Sequence, residues 1–364
     1  MLTDKQVKEI REHLEKAQNP VFFFDNDPDG LCSFLLLQRF IGRGKGVPIR
    51  SFPEMTKEYF RKVTELNADY IFILDKPNIS KDFFKEVEQV NIPVVWIDHH
   101  VSGEIYDFVN VGGGQKKEGA FCDYFNPMFN KTKTNEPVTA LCYQVTQKKE
   151  DLWLGVIGCI SDKFFPDFYK DFSKEYPELS IKSNEPFEIL YESEIGKIAK
   201  MLSFSLMDRT TNVIQMIRFL MKAKSPHDVL EESKKNSSIH KRYNEINKRY
   251  TKFLEKAGNE ANPEKLLFFQ YGGDLSISGI LSNELSFKFP NKIIVVVYIT
   301  GVKANVSARG GNIREIFLES IKDLEGASGG GHEEAVGAKI RVEDLEIFRK
   351  NLERLIGNSH NTSA

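Results

Sequence analysis

The stretch Trp96-Ile97-Asp98-His99-His100 sets how the rest of the chain reads. Val94, Val95, Trp96 and Ile97 follow Pro93 as a short apolar run, the pattern of a strand buried on both faces and parallel to its neighbours. The run stops at one carboxylate and two imidazoles. Polar, metal-competent side chains at the C-terminal tip of such a strand fall where open α/β sheets place their sites. A His pair alone fits a structural role as well as a functional one. Two further strand tips tilt the balance. Val21-Phe22-Phe23-Phe24 runs into Asp25-Asn26-Asp27-Pro28-Asp29-Gly30, and Tyr70-Ile71-Phe72-Ile73-Leu74 runs into Asp75. Three strands that deliver acids and imidazoles to one edge predict a metal site.

Towards the N-terminus, Val7, Ile10 and Leu14 stand at helical spacing and predict a helix over 3–17. Asp29-Gly30 opens a second helix, a strand is expected over 49–52, and helices over 56–66 and 79–90 lead to the strands that end in Asp75 and Asp98. Alternating strands and helices imply βαβ units and a parallel sheet. Beyond His100, Val111-Gly112-Gly113-Gly114-Gln115-Lys116-Lys117 has the composition of a phosphate cradle or a mobile turn, without the strand-to-helix frame of a P-loop. A helix is expected over 138–147. The apolar run 152–160 ends in Ser161-Asp162, one more acid at the tip of a buried element. Residues 164–185 show no clean period and read as a loop or insertion. Helical patterns dominate 186–257, and the basic stretch 231–256, with Tyr243 and Tyr250 interleaved, reads either as a solvated connector or as a nucleic-acid track. A second α/β unit starts near 265, with strands over 266–271, 293–300 and 302–308 and helices over 279–288, 312–324 and 343–356.

Composition sets the limits. At 364 residues, with 28% charged and 41% hydrophobic residues, the chain is long enough for two or three domains of ordinary globular type. A formal net charge of −2 argues against indiscriminate polyanion binding, although a local basic groove is compatible with it. No apolar run reaches membrane-spanning length, and the N-terminal residues lack the hydrophobic core of a signal peptide. Cys32, Cys122, Cys142 and Cys159 are scattered among apolar neighbours, which predicts buried free thiols and a cytoplasmic protein with no membrane association.

Asp25, Asp27, Asp29, Asp75, His99 and Asp162 form an oxygen-rich set with one imidazole. Gathered carboxylates repel one another, so a shared site needs divalent cations to hold their charge. Asp/His ligation without thiolate suits Mn²⁺, with Mg²⁺ or Zn²⁺ as other occupants. This many ligands suits two ions about 3.5–4 Å apart that activate a bridging hydroxide. In the loop itself, Pro28 stiffens the chain and Gly30 allows close backbone approach.

These residues carry a family resemblance. Asp25-x-Asp27-x-Asp29-Gly30, the strand-end Asp75, Asp98-His99-His100 and the segment from Gly155 to Ser161-Asp162 resemble the DHH phosphoesterase superfamily. Gly329-Gly330-Gly331-His332-x-x-Ala335-x-Gly337 is similar to the signature of its DHH-associated substrate domain. The motifs occur in family order over roughly residues 20–345. The Asp-rich first motif, with Leu31 after Gly30, looks like the RecJ-type exonucleases, and the compact length resembles the archaeal RecJ-like proteins and also the short oligonucleotide hydrolases.

The resemblance implies an α/β fold: an N-terminal parallel-sheet DHH domain over 1–185, a helical connector over 186–260, a smaller C-terminal α/β domain over 261–356 with a cleft between the domains, and a polar tail over 357–364. It makes Asp25, Asp27, Asp29, Asp75, His99 and Asp162 the metal ligands or their close partners. Asp98 is expected to orient His99. Asp98, His99 and His100 form the catalytic set, with His100 at the scissile phosphate. Ser307-Ala308-Arg309 is similar to the family's Ser-x-Arg strand end, which makes Arg309 a candidate phosphate clamp and puts Ser307 with it among the substrate-binding residues. Gly329, Gly330, Gly331 and His332 bring backbone N–H groups to a terminal nucleotide. Lys76, next to Asp75, departs from the pattern. The expected activity is a Mn²⁺-dependent phosphodiesterase with two ions, or Mg²⁺ in their place, that trims single-stranded DNA or RNA to mononucleotides, with replication proteins as candidate partners. The rival expectations are a hydrolase of very short RNAs or cyclic dinucleotides and a non-catalytic replication scaffold.

Overall fold

The computed structural model describes residues 1–51, 54–100, 106–112, 119–260 and 265–361, the side chains of His332 and of 358–361 excepted. Two compact units result, Met1–Tyr243 and Asn244–Ala364.

The first unit opens with α1 (Asp4–Lys16), started by a Thr3/Gln6 capping box that satisfies two otherwise orphaned backbone donors. There follow β1 (Pro20–Asp25), α2 (Pro28–Ile41), β2 (Lys45–Ile49), α3 (Phe60–Glu65), β3 (Tyr70–Leu74), α4 (Lys81–Val90), β4 (Val94–Ile97), β5 (Val109–Val111) and β6 (Cys122–Phe125). Among the described residues the sheet has six strands in the order β2-β1-β3-β4-β6-β5, every pair parallel.

Alternation along the strands supplies both faces of the core. Phe22, Phe24, Phe72, Leu74, Val95 and Ile97 face α2 and the later helices, while Val21, Phe23, Ile71, Ile73, Val94 and Trp96 face α4. A sheet covered on both sides explains why its strands read as continuous apolar runs. Helices α5 (Val138–Thr146), α6 (Leu152–Ser161), α7 (Tyr169–Glu175), α8 (Pro186–Glu192), α9 (Glu194–Leu206), α10 (Thr210–Leu220) and α11 (His227–Leu230) complete this unit. Ile189, Ile198, Leu202, Val213 and Leu220 join the same core as Phe22 and Phe72. The boundary between the units falls within α12 (Ser237–Asn259).

The structure corrects several sequence expectations. The second strand lies over Lys45–Ile49 rather than 49–52, because its register with β1 pairs Val21 with Lys45 and ends with Asp25 opposite Ile49. Gly46 and Pro48 obscure it in the sequence. Pro is tolerated on this edge strand, and a Cβ at Gly46 would meet the Phe34 ring at 2.6 Å. Strands β5 and β6, of three and four residues, are too short to read from the sequence. The segment 164–185 contains α7 and a 3₁₀ turn, with Tyr169, Phe172 and Leu179 buried, so it is packed structure rather than a loop. Most of the glycine-lysine run 111–117 lies outside the described residues.

The second unit contains β7 (Leu266–Gly272), α13 (Ser278–Lys288), β8 (Ile293–Thr300), β9 (Lys303–Arg309), α14 (Ile313–Ile321), β10 (Ser328–His332), β11 (Ala335–Arg341) and α15 (Leu345–Asn361). The sheet is mixed, in the order β10-β11-β9-β8-β7, with β7 and β8 parallel and the other pairs antiparallel. Val295, Val297, Val306 and Val336 pack against Phe317 of α14 and Phe348 and Leu352 of α15. The polar residues after Gly357 continue α15 to Asn361 instead of starting a separate tail. Among the described residues no helix is long and apolar enough to cross a membrane.

Candidate metal centre

The C-terminal ends of β1, β3 and β4 lie side by side in the sheet, as β1-β3-β4, so the residues that follow them meet without any long reach. After β1 the chain turns at once into α2. Asp27 is the cap, its Oδ1 accepting the Gly30 N–H at 2.9 Å, and Pro28 fills the first helical position, where no N–H is needed. Gly30 is required by space: a Cβ there would lie 2.4 Å from the Asp25 carbonyl oxygen.

Asp29 is buried and both its oxygens are used. They accept the N–H groups of Val138 and Thr139 at 3.0 and 2.7 Å, in the first turn of α5, where backbone donors favour a carboxylate. Thr139 Oγ1 in turn donates to the Asp29 carbonyl at 2.9 Å. This bracket ties the acidic loop to α5, the helix that packs beside α2.

Asp75 ends β3 with φ +58°, a left-handed conformation that breaks strand alternation. Its Oδ1 is 3.5 Å from His99 Nε2 and 3.9 Å from His100 Nδ1. With 4% of the residue exposed, that oxygen accepts no hydrogen bond. An orphaned carboxylate oxygen aimed at imidazole nitrogens is the feature a cation would satisfy. His99 Nε2 also lies 3.7 Å from Asp162 Oδ2, at the C-terminal end of α6. The ligand atoms of Asp75, His99 and His100, and those of Asp29, His99 and Asp162, form two sets whose members lie within 4.8 Å of one another.

Asp98, expected to orient His99, is instead bonded to His100, whose Nδ1 is 2.9 Å from Asp98 Oδ1. Residues two apart at the end of a strand share a side, so the imidazole after next is the one within reach. Tyr124 OH donates to the other Asp98 oxygen at 3.4 Å, and Asn126 holds both Tyr124 OH and the His100 carbonyl at 2.8 Å. Tyr124 and Asn126 sit on and just after β6, a strand the sequence does not reveal.

The electrostatics are those of crowded acids. Burial, then the neighbouring Asp25 and Asp29, push the Asp27 carboxyl up to about 7. Burial, with Asp29, Asp27, Asp25 and Asp162 behind it, raises Asp75 well above the carboxylate range. Asp162 is raised by burial of its carboxyl and by Asp29 and Asp27, although 43% of its side chain remains open to solvent. Burial alone would lower His100, but the Asp98 hydrogen bond and charge, with Asp162 and Asp29, hold it above its ordinary value. Asp25 differs from the other acids, because its Oδ1 takes the ammonium of the buried Lys76 at 2.9 Å. All four cysteines are buried and free, and thiolate ligation has no part in the site.

The second unit brings its own expected residues together. Ser307 and Arg309 lie on β9 directly opposite Gly337 and Ala335 of β11, and β10 pairs Gly330 with Gly337. Ser307 Oγ donates to Ser278 Oγ at 3.0 Å, and Arg309 Nε donates to Asn283 Oδ1 at 2.5 Å. The glycines lie in strand β10. A Cβ at Gly330 would meet nothing, whereas at Gly331, with φ +146°, it would lie 2.3 Å from the Ala335 carbonyl. The His332 side chain lies outside the described residues.

Comparison with known proteins places the fold. Residues 264–358 match the DHHA1 domain family. Among solved structures, RecJ of Thermus thermophilus in complex with Mn²⁺ superposes over 97% of this chain with TM-score 0.66 at 16% identity, and the chain spans 54% of that protein. An exonuclease RecJ bound to manganese matches over 97% of this chain and 94% of its own, with TM-score 0.62 and 16% identity. The DHH domain of a protein described as a member of a family of ribosomal proteins matches over 98% and 92%, with TM-score 0.64 and 16% identity. No curated protein sequence matches the chain. The chain therefore shares the fold of these RecJ and DHH-domain structures.

Proposed function

We propose that this chain is a divalent-cation-dependent phosphodiesterase of RecJ type that removes nucleotides from one end of single-stranded DNA or RNA. The observation that carries the reading is the meeting at His99 of two acid–imidazole sets, one with Asp75 and His100 and one with Asp29 and Asp162, beside the buried, unsatisfied Asp75 Oδ1. Carboxylates and imidazoles fit Mn²⁺ or Mg²⁺ and disfavour thiophilic ions. His99, Asp29 and Asp162 would hold the cation, with Asp75 Oδ1 3.5 Å from the same imidazole. Bound there, it supplies positive charge to phosphate oxygens and acidifies a water.

The chain's own groups do the rest. The Asp29 bracket on α5 fixes the loop, so that the ligands are held before a cation arrives. Asp98 fixes the His100 ring through Nδ1 and favours its protonated form, which suits the imidazole to donate to a phosphate oxygen. In the second unit, the Arg309 guanidinium and the exposed strand β10 supply the donors that suit a terminal phosphate or nucleotide. DHH fold, acid–imidazole site and DHHA1 domain together favour this reading over a scaffold, for which buried mutually repelling acids serve no purpose.

The test is Mn²⁺-dependent degradation of single-stranded DNA and RNA labelled separately at each end, over lengths from dinucleotides to long strands. Immediate release of one labelled mononucleotide from long strands is expected. Turnover confined to oligonucleotides of two to five residues would replace the exonuclease reading with a short-substrate hydrolase.

A further inference from the structure

Lys76 stands inside the acid cluster and is 3% exposed. Its Nζ donates to Asp25 Oδ1 at 2.9 Å and to the Ser51 carbonyl at 3.0 Å. An ammonium this deeply buried has to be paired, and Asp25 is its carboxylate. The backbone around it is fixed on both sides. Asp75 N–H donates to the Ile97 carbonyl at 3.0 Å, and Trp96 Nε1 donates to the Lys76 carbonyl at 2.9 Å. The left-handed turn at Asp75 then lets two successive side chains, Asp75 and Lys76, both reach groups of the site.

The arrangement of potential ligands is correspondingly lopsided. Among the described residues, the two sets close enough to share a cation both contain His99, and neither contains Asp25 or Asp27. Asp27 has an oxygen engaged as the cap of α2, and Asp25 has one engaged by Lys76. A divalent ion placed between Asp25 and Asp75 would lie close to the buried ammonium, and like charges at that range repel.

We infer that Lys76 takes the place of one cation's charge at Asp25, so that this site holds a single divalent ion, around His99, instead of the two that the sequence resemblance implies. The inference rests on the metal-centre reading above and concerns only how many ions that centre takes. Asp25 becomes the anchor of a fixed internal cation, and His99, Asp29 and Asp162 hold the exchangeable one, with Asp75 beside the same imidazole.

The experiment is Mn²⁺ binding to the full chain, by calorimetric titration and by metal analysis after equilibrium dialysis, with electron paramagnetic resonance of the loaded protein. The wild type is expected to bind one tight ion per chain and to show the spectrum of an isolated Mn²⁺. Lys76→Met and Lys76→Gln, checked for folding by circular dichroism, are expected to gain a second ion and the spectrum of a spin-coupled pair. Two tight ions in the wild type would overturn the inference and leave the metal centre standing. Absence of any tight ion would instead overturn the metal centre itself. A folded Lys76 variant that still takes one ion would overturn the assignment of Lys76 as the group that excludes the second. If neither variant folds, the wild-type stoichiometry and spectrum decide.

Discussion

Asp98 holds His100, not His99: the carboxylate oxygen and the Nδ1 of His100 are 2.9 Å apart, and Asp98 is fully buried beneath them. The two adjacent imidazoles therefore have separate tasks. His99 Nε2 faces Asp75 and Asp162 at 3.5 and 3.7 Å, whereas the Asp98 hydrogen bond orients His100 and raises its pKa.

Asp98→Asn keeps the side chain's shape and removes its charge. The His100 pKa, read by NMR titration, is expected to fall, and hydrolysis to drop by about 10–100-fold, the range for partners that orient a ligand shell. An unchanged His100 titration would show that Asp98 is not its effective partner.

Gly30→Ala forces a Cβ to within 2.4 Å of the Asp25 carbonyl. Since the contact is with backbone, the loop itself has to move. We expect a loss of about 1–3 kcal/mol in denaturant unfolding and weaker Mn²⁺ binding. Unaltered stability and affinity would mean that the loop is looser than its packing suggests.

The pH dependence has a definite sign. Asp27 is raised to about 7 in the folded chain, against about 4 for an exposed aspartate. Without a divalent cation the folded state keeps a proton that the unfolded state has released. This contribution to stability is lost progressively as pH rises from about 4 to about 7 and is level above that. A cation among the neighbouring carboxylates favours the ionised form of Asp27 as well, so its stabilising effect grows over the same interval. Thermal unfolding with Mn²⁺ and with chelator, at several pH values, should show the two curves diverging as pH rises. Parallel curves would contradict the assignment of these carboxylates.

Arg309→Ala removes a guanidinium from the end of β9 while leaving its strand pairing intact. Substrate affinity is expected to fall about tenfold, equivalent to roughly 1.4 kcal/mol, with little change in Mn²⁺ binding. Equal affinity in filter binding to single strands would remove Arg309 from the substrate surface.

Much of the first sheet is legible because strands covered on both faces read as unbroken apolar runs, and their acidic ends stand out against them. Asp25, Asp75 and Asp98 are located by that contrast alone. Strands β5 and β6 carry three and four residues and little periodicity, so Tyr124 and Asn126, which support the Asp98–His100 pair, stay invisible in the sequence. Adjacency along the chain points Asp98 at His99, whereas the strand end pairs residue i with i+2. The engagement of Lys76 with Asp25 depends on the left-handed backbone at Asp75, and no local pattern announces it. In the second unit the glycines carry no strand pattern of their own, and their pairing with β11 is what shows the strand.

The proposed chemistry depends on His99 and the acids around it forming a hydrolytic divalent-cation site. Mn²⁺-dependent mononucleotide release from a single strand, compared among the wild type, His99→Ala and Asp162→Asn, addresses this at once when Mn²⁺ affinity is measured on the same samples. Turnover by the wild type is expected, with none in chelator. Both variants should lose more than about 100-fold, beyond the usual effect of outer-shell partners, and bind Mn²⁺ more weakly while retaining the fold. Wild-type rates in a folded His99→Ala protein would show that the site is not where hydrolysis occurs.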